Sequence, residues 1–357
     1  KTMRSSVSLV GAGNSIDNTL LVINVLDSYQ QMVESLRVGI TKVKIAIDLQ
    51  GSQGVIEESF SVKEKLLMHG YSNARNRGLL AARRGELTAA AYYFEIAQTP
   101  LHKKELSYAS ALLYESFLEQ ARSYLFCRSG KFEQARMSID KSLSNDMALE
   151  KYSFTIDLTL HRIQLVHNLV RLEAYCGNID YAVELACQIL RYLSGTSEFI
   201  GVMGDWGYQR VKNQHQSEVS AMFVQVAGEI AIILAGKPRQ SKIMQLNILS
   251  QISIPESQCC HKTAAKWLLL QQQLADNNIM NFFIQLSDFL RNCEAESALL
   301  SSAALVDLVI LCEELQLDII ADVKQKITKD ADLWQHVHNK KISNYLTSLG
   351  DKVQSCC

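Results

Sequence analysis

The densest group of metal-ligating residue types in the chain is Cys259-Cys260-His261. A metal site needs side chains that converge, and three consecutive residues diverge on any regular backbone. No second Cys/His pair stands nearby at zinc-finger spacing. The triplet therefore reads as a loop leading into a helix at 262–275. His336 and His338 are two apart on a predicted helix and point to different faces. Asp332 with His336, and Asp157 with His161, are each four apart and suit ion pairs. No nucleophile stands beside either pair, so neither reads as a catalytic dyad. The sequence contains no G-x-S-x-G, H-E-x-x-H, phosphate-loop or C-x-x-C motif. Gly11-Ala12-Gly13 has no clear strand before it and no Lys-Ser or Lys-Thr after it, so residues 1–15 read as a loose lead-in. The expectation is a non-enzyme with no cofactor and no metal.

The bulk numbers narrow the partners. The 357 residues carry a net charge of −1, which gives no general attraction to nucleic-acid backbones or acidic membranes. No run of 18 or more apolar residues is seen in the sequence, so no membrane span is expected. Nine cysteines, odd in number and partly inside apolar helical patterns, point to buried thiols in a reducing compartment, cytoplasmic or nuclear. Cys356-Cys357 resembles the prenylated end of small trafficking GTPases, but nothing else does, and no lipid is expected there. Only three prolines interrupt the chain, and 48% of it is hydrophobic, which suits long helices around a sizeable core.

The apolar pattern supplies those helices. Val22, Val25, Tyr29, Met32, Leu36, Ile40, Val43 and Ile47 recur at steps of three and four, a core-facing stripe on one long helix ended by Gly51 and Gly54. Tyr71 to Pro100 reads as two helices with a turn at Gly85, the second stopped by Pro100. Two further pairs turn at Gly130 and Gly177, so the turns are 45 and 47 residues apart. A repeat of that size signals stacked helical hairpins. After Leu193 the rhythm breaks into a long loop or a short irregular excursion between helices, 194–217. Helices follow at 218–234, 240–249, 262–275, 278–292, 296–315 and 317–328, with turns at Asn277 and Gln316. A polar closing helix at 331–349 suits a cap.

The small residues Gly78, Gly85, Ala90 and Ala97, with the bulky Phe94 among them, resemble the tetratricopeptide repeat. Gly130, Ala135, Ile139 and Ser142 repeat the pattern, and Gly177, Ala182, Ala186 and Ile189 repeat part of it. The resemblance covers about residues 70–195, with helices longer than the roughly 34-residue period of that family allows. It implies an all-α fold, a right-handed superhelical solenoid with a concave groove. It also implies that Arg75, Gln120, Tyr124, His167 and Arg171 face the groove, where they would hold an extended peptide or acidic segment. A second surface is suggested by Trp206, Tyr208 and Arg210 in the 194–217 loop, where aromatic and basic residues coincide as they do in recognition hot spots. The other reading of Trp206 is an anchor that tucks the loop back onto the helices.

The expected organisation is a tail and long helix over 1–60, repeats over 61–195, and degenerate repeats with a cap over 196–357. Residues 1–60 pack on the solenoid or on a partner. The leading function is a protein-interaction scaffold, a subunit of a hetero-oligomeric assembly that binds a protein or peptide segment and not nucleic acid. The alternative is a ligand- or peptide-responsive sensor domain of a transcription or signalling regulator.

Overall fold

The computed structural model describes residues 11–39, 60–153, 156–252, 261–293, 297–330, 332–333 and 339–349. Among them every regular element is a helix. In chain order these are α1 (Gly11–Gly39), α2 (Val62–Arg84), α3 (Leu87–His102), α4 (Tyr108–Arg128), α5 (Phe132–Tyr152), α6 (Thr159–Tyr175), α7 (Ile179–Leu193), the short α8 (Tyr208–Lys212) and α9 (Gln216–Leu234). A 3-10 turn (Arg239–Lys242) then leads to α10 (Ile243–Ser250), α11 (Lys262–Ala275), α12 (Ile279–Arg291), α13 (Ala298–Glu314), α14 (Ile320–Lys329) and α15 (Lys340–Thr347). The chain divides into two compact units, 46–222 and 1–45 with 223–357.

The helix pairs are closed by one repeated device. Gly85, Gly130 and Gly177 have φ of 85°, 71° and 87°. At each, the next N–H reaches back five residues: Glu86 to Ala81 O (3.0 Å), Lys131 to Phe126 O (2.9 Å) and Asn178 to Glu173 O (2.9 Å). Glycine takes this left-handed backbone without the Cβ clash that other residues suffer, and the bonds satisfy carbonyls the helix end leaves free. The residue after each glycine, Glu86, Lys131 or Asn178, sits at φ −81°, −90° or −80° and ψ 65°, 63° or 57°, and the next helix starts at once. Asn277 (φ 56°) and Gln316 (φ 52°) close α11 and α13 with the same bonds, Asn278 N to Gln273 O (2.9 Å) and Leu317 N to Cys312 O (3.1 Å).

In the unit 46–222, α2 packs on α3 and α4, α3 on α4, α4 on α5, α5 on α6, and α6 on α7. The small-and-bulky pattern has a direct cause. A Cβ built on Gly78 would lie 3.1 Å from the Phe94 ring, so α2 approaches α3 closely enough that an alanine would require the ring to give by a few tenths of an ångström. The starts of α2 and α4 share one carboxylate. Glu64 accepts from Ser61 N (3.1 Å) and Ser61 Oγ (2.6 Å) in a capping box, and its other oxygen accepts from Ser107 N (3.1 Å) and Ser110 Oγ (2.8 Å). These donors, Ser107 first, hold the Glu64 carboxyl down at about 2.

In the unit of 1–45 with 223–357, α1 packs on α12, and the stripe Val22, Val25, Tyr29, Met32 and Leu36 is buried. Ser28 Oγ lies 2.6 Å from Ser287 Oγ, Tyr29 O–H donates to Asp330 (2.8 Å), and Arg37 reaches Asp330 (2.9 Å) and Asp332 (3.0 Å). The continuation of that stripe through Ile40, Val43 and Ile47, and the glycines at 51 and 54, lie outside the described residues. α9 is long and apolar enough to cross a membrane, and most of that stretch is buried inside the protein.

Two local expectations are corrected. Gly11, Ala12 and Gly13 form the first turn of α1 and are not a loop. Pro100 does not stop α3, which continues to His102. A proline so near the C-terminus gives up one helical N–H, and Pro100 is buried. The 194–217 excursion carries a five-residue helix, α8.

Two tests follow from the turns and the cap. Gly130→Ala places a Cβ on a left-handed backbone and is expected to lower stability by about 1 kcal/mol, whereas Gln316→Gly relieves that strain and raises it by a few tenths to about 1 kcal/mol. Urea unfolding of both variants measures the difference in sign. Glu64→Gln removes an acceptor whose folded pKa is depressed, so its stabilisation is complete above about 4.5 and lost as pH falls towards about 2. Thermal scans should show a small deficit at neutral pH, under about 1 kcal/mol because the group is partly exposed, that closes between those two values.

Candidate interaction site

The residues expected in the groove are distributed along α2, α4 and α6, the first helices of the three hairpins. Arg75 of α2 and His167 of α6 are buried, Gln120 and Tyr124 of α4 are half-buried, and Arg171 of α6 is exposed. Arg75 lies with its guanidinium carbon 5.6 Å from the Phe117 ring centre, and Phe117 stacks on His161 at 4.1 Å and 23°. One side chain from each first helix thus joins a column that runs Arg75, Phe117, His161. Gln120 Oε1 sits 3.3 Å from His161 Nε2, beside the same column. His167 Nδ1 lies 3.5 Å from Gln164 Nε2, behind it.

Beneath the column is a buried polar hub. Asp146 of α5 is fully buried; its Oδ1 accepts from Ser116 Oγ (2.6 Å), and its Oδ2 takes the Nδ1–H of His161 (2.7 Å). Ser116 Oγ also lies 2.8 Å from Ser142 Oγ. A carboxylate in a core is tolerated only when its lone pairs are met, and here two helices besides its own supply donors. Sequence spacing pointed His161 at Asp157. Asp157 instead precedes α6, accepting from Thr159 N (2.9 Å) and Gln214 (2.8 Å), so no helical turn brings it to His161. The signal for Asp146 was Ser142 and Asp146 on the face of α5 that carries Ile139, Leu143 and Leu149, a polar strip in a core position. Ser, His and Asp meet here, but Asp lies between the other two and all three face inward, so no serine is activated by the histidine.

The 194–217 loop is held by a second ion network. Arg162, fully buried, places Nη1 2.5 Å from Glu150 and donates through Nη2 to Asp205 O (3.1 Å), with Trp206 5.5 Å from its guanidinium. Arg210 adds bonds to Glu150 (3.0 Å) and Asp205 (2.7 Å). Trp206 donates to Val202 O (2.8 Å) and meets Tyr192 edge-on at 5.4 Å. Trp206 and Arg210 therefore anchor the loop on α5, α6 and α7. Tyr208 opens α8, and its side chain lies outside the described residues.

Other chemistry is sparse. Burial pushes the Cys187 and Cys312 thiols up to about 12, so neither is a thiolate at neutral pH. Among the described residues no three His, Cys, Asp or Glu side chains group to hold a metal. His261 caps α11, accepting from Ala264 N (3.2 Å); Cys259, Cys260, His336, His338, Cys356 and Cys357 lie outside the described residues.

Several large apolar side chains stand on the surface of this unit. Tyr92 of α3 and Met137 of α5, 64% and 68% exposed, each stand seven residues after the turn glycine of their hairpin. Tyr108 and Tyr152, also exposed, form an edge-to-face pair at 5.7 Å where α4 begins and α5 ends. No family model, no curated protein and no solved structure matches this chain.

Two substitutions separate the networks. Asp146→Ala leaves Ser116 and His161 without their shared acceptor and is expected to cost about 3 kcal/mol, while Asp157→Ala costs under about 1 kcal/mol. Chemical denaturation of the pair checks the ranking. Arg162→Met leaves Glu150 with Arg210 and the Leu158 N–H but without its buried cation, and is expected to cost about 3 kcal/mol and to open residues 196–207 to limited proteolysis.

Proposed function

We propose that this chain is a non-enzymatic protein-interaction scaffold, a subunit of a larger assembly that binds a protein or peptide segment across its stacked hairpins. The reading takes the hairpins of 61–195 as a tetratricopeptide-like right-handed solenoid with long helices. Its main support is the recurrence of exposed Tyr92 and Met137 at one position in successive hairpins. A single exposed apolar residue is ordinary, but repetition at equivalent positions makes a surface of regular spacing, the kind that repeat proteins use. Gln120, Tyr124 and Arg171 supply polar contacts on the first helices, while Arg75 and His167 support that face from within. A small cavity among the described residues of the unit of 1–45 with 223–357, about 10 Å³ between Lys242, Asp307 and Glu314, has room for about one water and not for a metabolite, which weighs against the sensor reading at that place.

The test is capture from native extract by the full chain and by Tyr92→Glu/Met137→Glu, with intact-mass stoichiometry of what co-elutes. A stoichiometric protein bound by the unaltered chain and lost, by about tenfold or more in affinity, from the folded double variant is expected. A chain that elutes without any stoichiometric protein overturns the proposal.

A further inference from the structure

The helices that follow the turn glycines carry a second repeated feature besides their exposed apolar residue. Tyr92 of α3 is followed at three residues by Glu95, and Met137 of α5 by Asp140. In the third hairpin Tyr181 of α7, 44% exposed, is followed at three residues by Glu184, the pair standing about one turn nearer its glycine. Each of these side chains is exposed. Residues three apart lie side by side on a helix surface, so each of these helices shows a large apolar side chain beside a carboxylate. Among the contacts described, none engages the carboxylates of Glu95, Asp140 or Glu184. On α5 the neighbouring cations are spent elsewhere. Arg136 forks onto Glu173 (2.7 and 3.1 Å) and bonds Glu133, and Lys141 lies 2.5 Å from Glu115. The exposed cations Arg83, Arg84, Arg128 and Lys131 stand at the turns instead.

We propose that these helix faces bind a basic, apolar-rich segment of a partner protein, in which lysine or arginine alternates with large apolar side chains. The proposal rests on the scaffold reading above and adds the chemistry of the partner. An apolar side chain of the segment buries against Tyr92, Met137 or Tyr181 and removes that surface from water. A lysine or arginine beside it lays its stem along the same apolar side chain and brings its charge to the carboxylate one turn on. Each exposed charge pair adds little alone, and its repetition over α3, α5 and α7 supplies the selectivity. An acidic segment or a nucleic-acid backbone meets like charge at Glu95, Asp140 and Glu184 and is disfavoured. The cations at the turns repel a basic segment and leave the helix faces as its place.

The test is fluorescence anisotropy of two short labelled peptides on the full chain at about 0.1 M salt. One has lysine and leucine in amphipathic helical order, and the other has glutamate in place of lysine. The lysine peptide is expected to bind at least about tenfold more tightly. Glu95→Lys/Asp140→Lys/Glu184→Lys should weaken its binding about tenfold, and Tyr92→Ser/Met137→Ser/Tyr181→Ser by a similar factor with little change in salt dependence. The control is Glu86→Lys/Glu105→Lys/Glu198→Lys, which makes the same change in net charge at exposed positions away from these pairs. It is expected to leave the affinity within about twofold. Equal binding of the two peptides, no binding of either, or equal losses in the charge-reversed and control variants overturns the proposal. Those results leave the scaffold reading standing, because that reading falls only when the unaltered chain captures no stoichiometric protein.

Discussion

A single constraint recurs through the molecule: a helix must stop, reverse and start again within about three residues while its last carbonyls stay bonded. The left-handed residue solves it. Gly85, Gly130, Gly177 and Asn277 each end one helix and, through the next residue, begin another at nearly the same angles. The partner helix arrives in contact, so neither helix of the pair leaves its apolar face in water. The close approach at Gly78 and Phe94, and the shared carboxylate of Glu64, come after that constraint and depend on it.

Within the unit 46–222, polar side chains do what a purely apolar core does not. Asp146 draws donors from α4 and α6 onto α5, and Arg162 ties the loop at 205–206 to Glu150. Such buried charges add less net stability than their short distances suggest, since desolvation offsets much of the attraction. Removing one partner is the costly event. That asymmetry fixes the register of α6 on the α4–α5 hairpin.

Much of the architecture was legible because it follows from local chemistry. Turn glycines, the stripe from Val22 to Leu36, and the paired small and bulky residues around Phe94 each carry their own reason in the sequence. Asn277 and Gln316 were legible only as positions where a turn had to fall, since neither type is obliged to go left-handed. Contacts made by residues far apart in the chain were not legible. His161 has a carboxylate four residues away and a better one on another helix, and spacing alone selects the wrong one. The inward turn of Trp206 depends on Arg162, 44 positions earlier. Burial of Arg75 and His167 depends on how closely α2, α4 and α6 pack, which the family-like pattern of α3 residues does not specify.

The central claim is that the outward faces of successive hairpins form one recognition surface. Hydrogen–deuterium exchange on the chain alone, and on the complex isolated from native extract, tests it most directly. The account predicts new protection concentrated in 87–102 and 132–152, at matching positions of the two helices. Protection confined elsewhere, with those two helices exchanging as they do in the free chain, would contradict it.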